Sequence, residues 1–454
     1  MYKFKSYING EFTCNKEWLN IVSPLNNEIC GQVSALNQED INNAFSFARK
    51  SFKNWSSSNI EERVLACKKI SEKLLDEIDS IAKIINIETA KTMDDSISEV
   101  KRTSEYINQT IDTYQNIYHR TMKVNKVVNN LYRVPLGVVL AISPFNYPLN
   151  LAMSKIIPAI LSGNTVVFKP ATNGSLTGGK ITEIIDSLKL LPKGVFNLVT
   201  GRGRDIGDQL TSNNQINMIS FTGGVKVGHR IMENNPRIPL VLELGGNDAA
   251  YIRNDADIYL ASKLVAKGAF SFSGQRCTAI KRLIVHNNIK NEFIDLLKKE
   301  VLKITEVPLI NNGAADWVEK LLNDSNNKII LGGSRNENKF NHTIVETNKN
   351  SLAWKEEAFG PLLPIIYVSN DDEAVDIMND TNFGLQNSIF TKDIEWARYA
   401  ALRIESGTVN INKSSSRGPD EFPFLGIKDS GFGTQGIEEA LLSMTRYLGV
   451  VNEE

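Results

Sequence analysis

Cysteine and histidine are scarce in this 454-residue chain, with four of each. Cys14, Cys30, Cys67 and Cys277 form no C-x-x-C pair and have no histidine close by in sequence, which argues against structural zinc and against a secreted disulfide framework. No metal is expected. A surplus of one charge is also missing: 51 Lys+Arg face 52 Asp+Glu, for a net charge of −1. No long-range field therefore draws the protein to nucleic acid or to an anionic membrane. No apolar run approaches the ~18 residues of a membrane span, and the opening MYKFKSYINGEF lacks the ~7–15-residue apolar core of a signal peptide. The expectation is a cytoplasmic protein with free thiols. Internal repeats are absent, and so is G-x-G-x-x-G, since the nearest run, GRGRDIG at 201–207, has the wrong spacing.

The length exceeds what one hydrophobic core usually organises, ~250–300 residues, so more than one domain is expected. Ile70, Leu74, Ile78, Ile81 and Ile85 recur at helical steps, which predicts a helix over 59–90, followed by a second over 94–118. From residue 131 short β-branched runs ending in Gly, Pro or Asn alternate with helical stretches: GVVLAISPFN, NTVVFKP, GVFNLVTG and INMISFTGG. That alternation predicts βαβ units and a parallel sheet, and it resumes after PLVLELGG at 239–246. Two α/β domains joined near residue 245 are the natural division.

Cys277 stands in SFSGQRCTAIKR, after a polar turn at the end of a helix predicted over 256–272. The other three cysteines read as ordinary small hydrophobes; Cys277 is placed to face a cleft. A nucleophilic thiol needs a base and a pocket for the oxygen charge it creates. Glu243, in the apolar strand LVLE before two glycines, is the candidate base, because apolar surroundings raise a carboxylate's pKa. Read alone it is a strand-end carboxylate paired with a nearby lysine. Asn146, in SPFNYP, offers an uncharged amide donor, although alone it is ordinary turn chemistry.

The set SPFNYP, FKPAT, FTGG, LELGGN, GQRCT, EEAFGP and FPFLG, in this order, resembles the aldehyde dehydrogenase superfamily. The resemblance implies an α/β fold with a Rossmann-like cofactor domain (1–117 and 138–244), an α/β catalytic domain (245–430) and a small β oligomerisation extension (118–137 and 431–454). It implies that Cys277 attacks an aldehyde to give a thiohemiacetal, that Asn146 and the Cys277 backbone N–H hold the oxyanion, and that Glu243 activates water to hydrolyse the resulting thioester. A homo-oligomer, dimer or tetramer, is implied as well.

For the cofactor, the resemblance points to Lys169 at the adenosine ribose, Thr222 and Gly223 at the pyrophosphate, and Glu357 and Phe359 at the nicotinamide ribose. Thr172 stands where NAD-preferring members often carry a glutamate. A threonine can donate to a 2′-phosphate where a carboxylate would repel it, so NADP is expected. Arg102, Tyr147, Arg276 and Arg417 further resemble the residues that ring the substrate phosphate in one branch, the NADP-dependent non-phosphorylating glyceraldehyde-3-phosphate dehydrogenases. Read singly, Arg102 is a solvated helix residue and Arg276 a turn stabiliser. Together they imply a phosphorylated aldehyde, with succinate semialdehyde or lactaldehyde as the alternative. The chain reads as short around 118–131, where a hairpin belongs, and around 303–314.

Overall fold

The computed structural model describes residues 1–453 apart from Lys16 and Ser325. They form two compact units. The first comprises Met1–Leu242, Pro419–Pro423 and the chain from Gly433 onward; the second comprises Glu243–Gly418 and Phe424–Phe432.

In the first unit the strands Met218–Thr222, Val138–Ile142, Thr165–Lys169 and Phe196–Leu198 lie side by side in parallel. Leu240–Glu243, whose last residue begins the second unit, flanks Met218–Thr222, and Ser6–Ile8 and Glu11–Thr13 extend the opposite edge antiparallel. The central strands are apolar throughout because helices cover them; Val139, Ala141, Val166 and Phe168 sit in one core with Ile70, Leu74, Ile81, Ile85, Ile156 and Ile160. Each valine, leucine, isoleucine and phenylalanine among them contributes roughly 1.5–3 kcal/mol on burial.

The single helix expected over 59–90 is two, Ile60–Asp76 and Ile78–Thr89. Glu77 departs from helical geometry (φ −108°, ψ 20°) and ion-pairs with Lys180 of the helix Ser175–Leu188. The apolar spacing survives the break because both helices turn the same stripe to one core. The expected helix over 94–118 is Met93–Ile117, capped by Thr92, whose hydroxyl accepts from Asp95 N–H.

The segment that reads as short does form a hairpin. His119–Val124 and Val127–Pro135 pair antiparallel around Asn125, which adopts φ 54°, a conformation asparagine tolerates better than most residues. Thr445–Glu453 then adds a third strand along the whole of Val127–Pro135.

In the second unit seven strands run in the order Lys328–Leu331, Thr343–Glu346, Leu362–Val368, Ile280–His286, Asp248–Ile252, Gln386–Phe390, Thr408–Ile411, all parallel except the first. Ala250 and Ile252 face a core with Val265, Phe270 and Phe293, while Ala249 and Tyr251 face another with Trp354 and Val375. Covering both faces in this way is what a parallel sheet requires. The pairing of Asp248–Ile252 with Ile280–His286 slips once: Asp248 aligns with Ile280 and Ala249 with Arg282, leaving Lys281 as one extra residue, a bulge. Among the described residues no helix is long and apolar enough to cross a membrane.

Candidate active site

The nucleophile candidate follows a backbone that few sequences tolerate. The helix Ile258–Phe270 ends and Phe272, Ser273 and Gly274 follow with φ of 54°, 48° and 71°. Left-handed non-glycine residues cost of order 1–3 kcal/mol each and persist only where the surroundings hold them. Ser273 supplies part of that hold, donating to Val307 C=O (2.7 Å) and accepting from Val307 N–H (3.0 Å). The Gln275 side-chain oxygen Oε1 accepts from Ile310 N–H at 2.9 Å. A Cβ at Gly274 would collide with the Gly360 carbonyl oxygen, so that position admits only glycine. On the far side, Ser415 Oγ donates to Thr278 C=O at 2.8 Å. The short loop around 303–314 thus clamps the turn that presents Cys277.

Cys277 remains partly exposed, and its thiol is pushed up to about 11 by loss of hydration; Glu243, Asp248 and Glu357 add to the rise, while the Lys281 ammonium opposes it. Lys281 is a residue that sequence reasoning missed. Only 2% of its side chain is exposed; Nζ donates to the Cys277 carbonyl oxygen (2.6 Å) and lies 3.3 Å from Glu357 Oε1. Its one signal in the sequence is a second cation beside Arg282 in the otherwise apolar run IKRLIV, and in the structure it is the bulged residue of that strand.

Glu243 and Glu357 are drawn to the same region by the two glycines of LELGGN. A Cβ on Gly245 would collide with Glu357 Oε2, and one on Gly246 would meet the Cys277 carbonyl oxygen at 2.6 Å. Gly246 N–H donates to Glu357 Oε1 at 3.0 Å. Glu243 is buried at 8% exposure, and its partner is an arginine rather than a lysine: Arg417 Nη1 donates to Oε1 at 2.8 Å. Arg276 Nη2 donates to the Gly268 carbonyl oxygen at 2.5 Å, holding the end of the helix that precedes the turn. Phe359, partly buried, adopts φ 43° beside Glu357, whose own carbonyl oxygen accepts from Trp317 Nε1 at 2.9 Å.

The remaining candidates lie in the first unit, where the register places them at one edge. Ile142 aligns with both Lys169 and Phe221, so SPFN, KPAT and TGG all leave the sheet at the carboxyl ends of adjacent parallel strands. This is where open α/β sheets bind ligands. Asn146 is buried. Its loop is fastened by two residues that periodicity did not single out. Glu99 Oε1 accepts from Leu149 and Asn150 N–H (3.0 Å each), capping a helix start that has no side-chain cap of its own, and Lys91 pairs with Glu99 at 2.5 Å. The Lys91 ammonium also lies 3.6 Å from the centre of the Tyr147 ring. Arg102 is bound to Asp420 by two hydrogen bonds, of 2.9 and 2.7 Å, and so is not a solvated helix residue.

Lys169 donates to the Pro170 carbonyl oxygen at 2.8 Å, and burial pulls its ammonium down to about 8. Thr172, partly exposed, begins the turn to the helix Ser175–Leu188. That helix starts on Glu88, which accepts from Gly174, Leu176 and Thr177 N–H and from the Thr177 hydroxyl. Thr222 is buried at its strand end. A Cβ on Gly223 would collide with the Phe221 ring, and Gly224 opens the helix Val225–Asn234 without a side-chain cap, leaving its first N–H groups to an anion. A buried lysine, a threonine and an uncapped helix start at one sheet edge fit a dinucleotide phosphate. Among the described residues no cluster of His, Cys, Asp and Glu could hold a metal ion.

Residues 12–450 match the family model described as "Aldehyde dehydrogenase family". The chain belongs to the aldehyde dehydrogenase family. Among curated aldehyde dehydrogenases, it is 38% identical to the NADP-dependent glyceraldehyde-3-phosphate dehydrogenase of Streptococcus equinus, over 98% of this chain and 97% of that one. It is 35% identical to a lactaldehyde dehydrogenase of Methanococcus aeolicus, over 98% and 99%. Among solved aldehyde dehydrogenases, the NADP-dependent glyceraldehyde-3-phosphate dehydrogenase of Bacillus halodurans C-125, complexed with NADP, superposes with a TM-score of 0.98 at 40% identity and full coverage of both chains.

Proposed function

We propose that this aldehyde dehydrogenase oxidises D-glyceraldehyde 3-phosphate to 3-phosphoglycerate with NADP and water, without forming an acyl phosphate. The observation that carries the substrate reading is a guanidinium, Arg417, against the carboxylate Glu243, with a second, Arg276, next to Cys277. Planar guanidinium groups chelate phosphate oxygens bidentately and offset the desolvation of a dianion. Relatives that carry this activity in their names and match the chain from end to end support the same reading.

In the proposed reaction the Cys277 thiolate adds to the aldehyde carbon. The resulting oxyanion is assigned to the Asn146 amide and the Cys277 backbone N–H, and Arg102, Tyr147, Arg276 and Arg417 are assigned to the phosphate. NADP, when bound, supplies the hydride acceptor that turns the adduct into a thioester. Glu243 then takes a proton from water as the water oxygen attacks the acyl carbon, and the thiolate leaves. Lys169, Thr172, Thr222 and Gly223 would hold the adenosine half of the cofactor, Glu357 and Phe359 the nicotinamide ribose.

A cytoplasmic homo-oligomer, dimer or tetramer, belongs to the same reading. Support comes from the three-stranded sheet of His119–Val124, Val127–Pro135 and Thr445–Glu453, which exposes Met122, Val124, Tyr447, Val450 and Val451. Exposed apolar strands of this kind are what a subunit contact would cover.

Steady-state kinetics in phosphate-free buffer test the substrate. We expect kcat/KM for glyceraldehyde 3-phosphate with NADP to exceed that for succinate semialdehyde or lactaldehyde by at least about a hundredfold, because the smaller substrates lack the phosphate oxygens that the arginines would chelate. Equal values, or a preference for lactaldehyde, would remove the phosphate from the reading.

Lys169 gives the cofactor site a pH signature. Below about 8 its ammonium is charged in the free protein and affinity for NADP should be flat. Above that pH binding must take up a proton, so affinity should fall by about tenfold per pH unit until the bound-state pKa is reached. Titration calorimetry in buffers of differing ionisation enthalpy would register the proton uptake, and Lys169→Met should bind more weakly with no such slope.

A further inference from the structure

Arg417 carries two roles that compete. The reading above, on which this inference rests, gives its guanidinium to the substrate phosphate, while in the structure Nη1 donates to Glu243 Oε1 at 2.8 Å with the two side chains 15% and 9% exposed. A carboxylate oxygen that accepts from a guanidinium has its charge neutralised and its lone pair directed away from water, which weakens it as a base. We propose that this ion pair is a phosphate-operated latch: Arg417 restrains Glu243 until the phosphate of the acyl group takes the guanidinium, so that thioester hydrolysis is itself selective for phosphorylated chains.

The surroundings suit an arginine that changes partner while its backbone stays in place. Residues 415 and 416 are fixed on both sides, Ser415 Oγ to Thr278 C=O at 2.8 Å, and Ser416 N–H and C=O to the Gln386 side-chain amide at 2.9 and 3.1 Å. The Arg417 guanidinium lies 4.9 Å from the centre of the Phe424 ring, an apolar face along which a planar cation can slide. Glu243 ends a strand whose next residue is held, Leu244 N–H donating to Ser430 C=O at 3.0 Å. Base and latch are thus mounted on rigid supports and only side-chain torsions need alter. A phosphate dianion outcompetes a single carboxylate for a guanidinium because it offers two oxygens in the fork geometry and a larger charge. The freed Glu243 then takes the proton of the attacking water, the new C–O bond forms, the C–S bond breaks, and the electron pair returns to Cys277 as thiolate. Selectivity would arise twice, once when the aldehyde binds and again when the thioester is hydrolysed.

Substrate in two pieces tests this. With D-glyceraldehyde and NADP in phosphate-free buffer, acid quenching and intact-protein mass give the acylated fraction of Cys277. Turnover divided by that fraction is the rate constant for hydrolysis, whichever step limits. In the wild-type protein, added phosphite dianion should raise this constant by about tenfold, a part of the range general bases contribute. Arg417→Gln should raise it without phosphite and abolish the response, and Arg417→Lys should fall between the two. A constant that phosphite leaves unchanged, or that is not raised in Arg417→Gln, overturns the latch. Failure of the underlying reading would show separately, as wild-type protein that does not prefer glyceraldehyde 3-phosphate to glyceraldehyde.

Discussion

Cys277→Ser is expected to lower aldehyde oxidation by at least about a thousandfold while leaving NADP affinity unchanged, because a serine hydroxyl is far less ionised and less nucleophilic than a thiol. The fold should survive. The turn at Phe272–Gly274 is held through Ser273 to Val307 and Gln275 to Ile310, and through the backbone rather than the sulfur at Cys277. Nucleotide titration and thermal denaturation of the variant should therefore match the wild type, and only NADPH formation should collapse. A variant that keeps a tenth or more of the activity would remove Cys277 from the chemistry.

Glu243→Gln should separate the two halves of the reaction. The amide keeps the shape and an oxygen to accept from Arg417, which now donates at 2.8 Å, but it has no base to offer water. Hydride transfer should proceed once, giving a burst of up to one NADPH per subunit, after which turnover falls by about 10²–10⁴-fold, the span general-base catalysis contributes. Intact-protein mass after acid quenching should show a 3-phosphoglyceryl adduct on Cys277 in nearly every molecule. Steady turnover at the wild-type rate, or a protein that never accumulates the acyl group, would assign the base elsewhere.

The central strands of the first unit and the helices at 59–90 and 94–118 were legible in the sequence because burial on one or both faces imposes a period, and period survives even where a helix breaks, as at Glu77. The residues that orient the site were less legible. Glu99 and Glu88 look like solvated helix carboxylates, and their true partners, the N–H groups of Leu149 and Asn150 and of Gly174, Leu176 and Thr177, lie far along the chain. Nothing local reports such a pairing. Arg102 is the same case, since Asp420 is brought to it only by the return of Pro419–Pro423 to the first unit. The two glycines of LELGGN were visible as a motif, and their reason was not: one gives room to Glu357, the other to the carbonyl of Cys277.

Lys281 escaped for a different reason. Lys281 and Arg282 stand side by side in a strand covered on both faces, and both are buried, Lys281 toward the Cys277 carbonyl and Arg282 toward the carbonyls of Asn247, Ile377 and Met378. The bulge leaves Lys281 as the extra residue in the ladder. It also acts as a gauge of chain length. The stretch from the end of the helix at Phe270 to the first paired residue at Ile280 must span a fixed gap with Cys277 at one point along it. An insertion or deletion there would slide lysine and thiol out of step together, so this stretch should hold its length even where surface loops elsewhere in the chain grow or shrink.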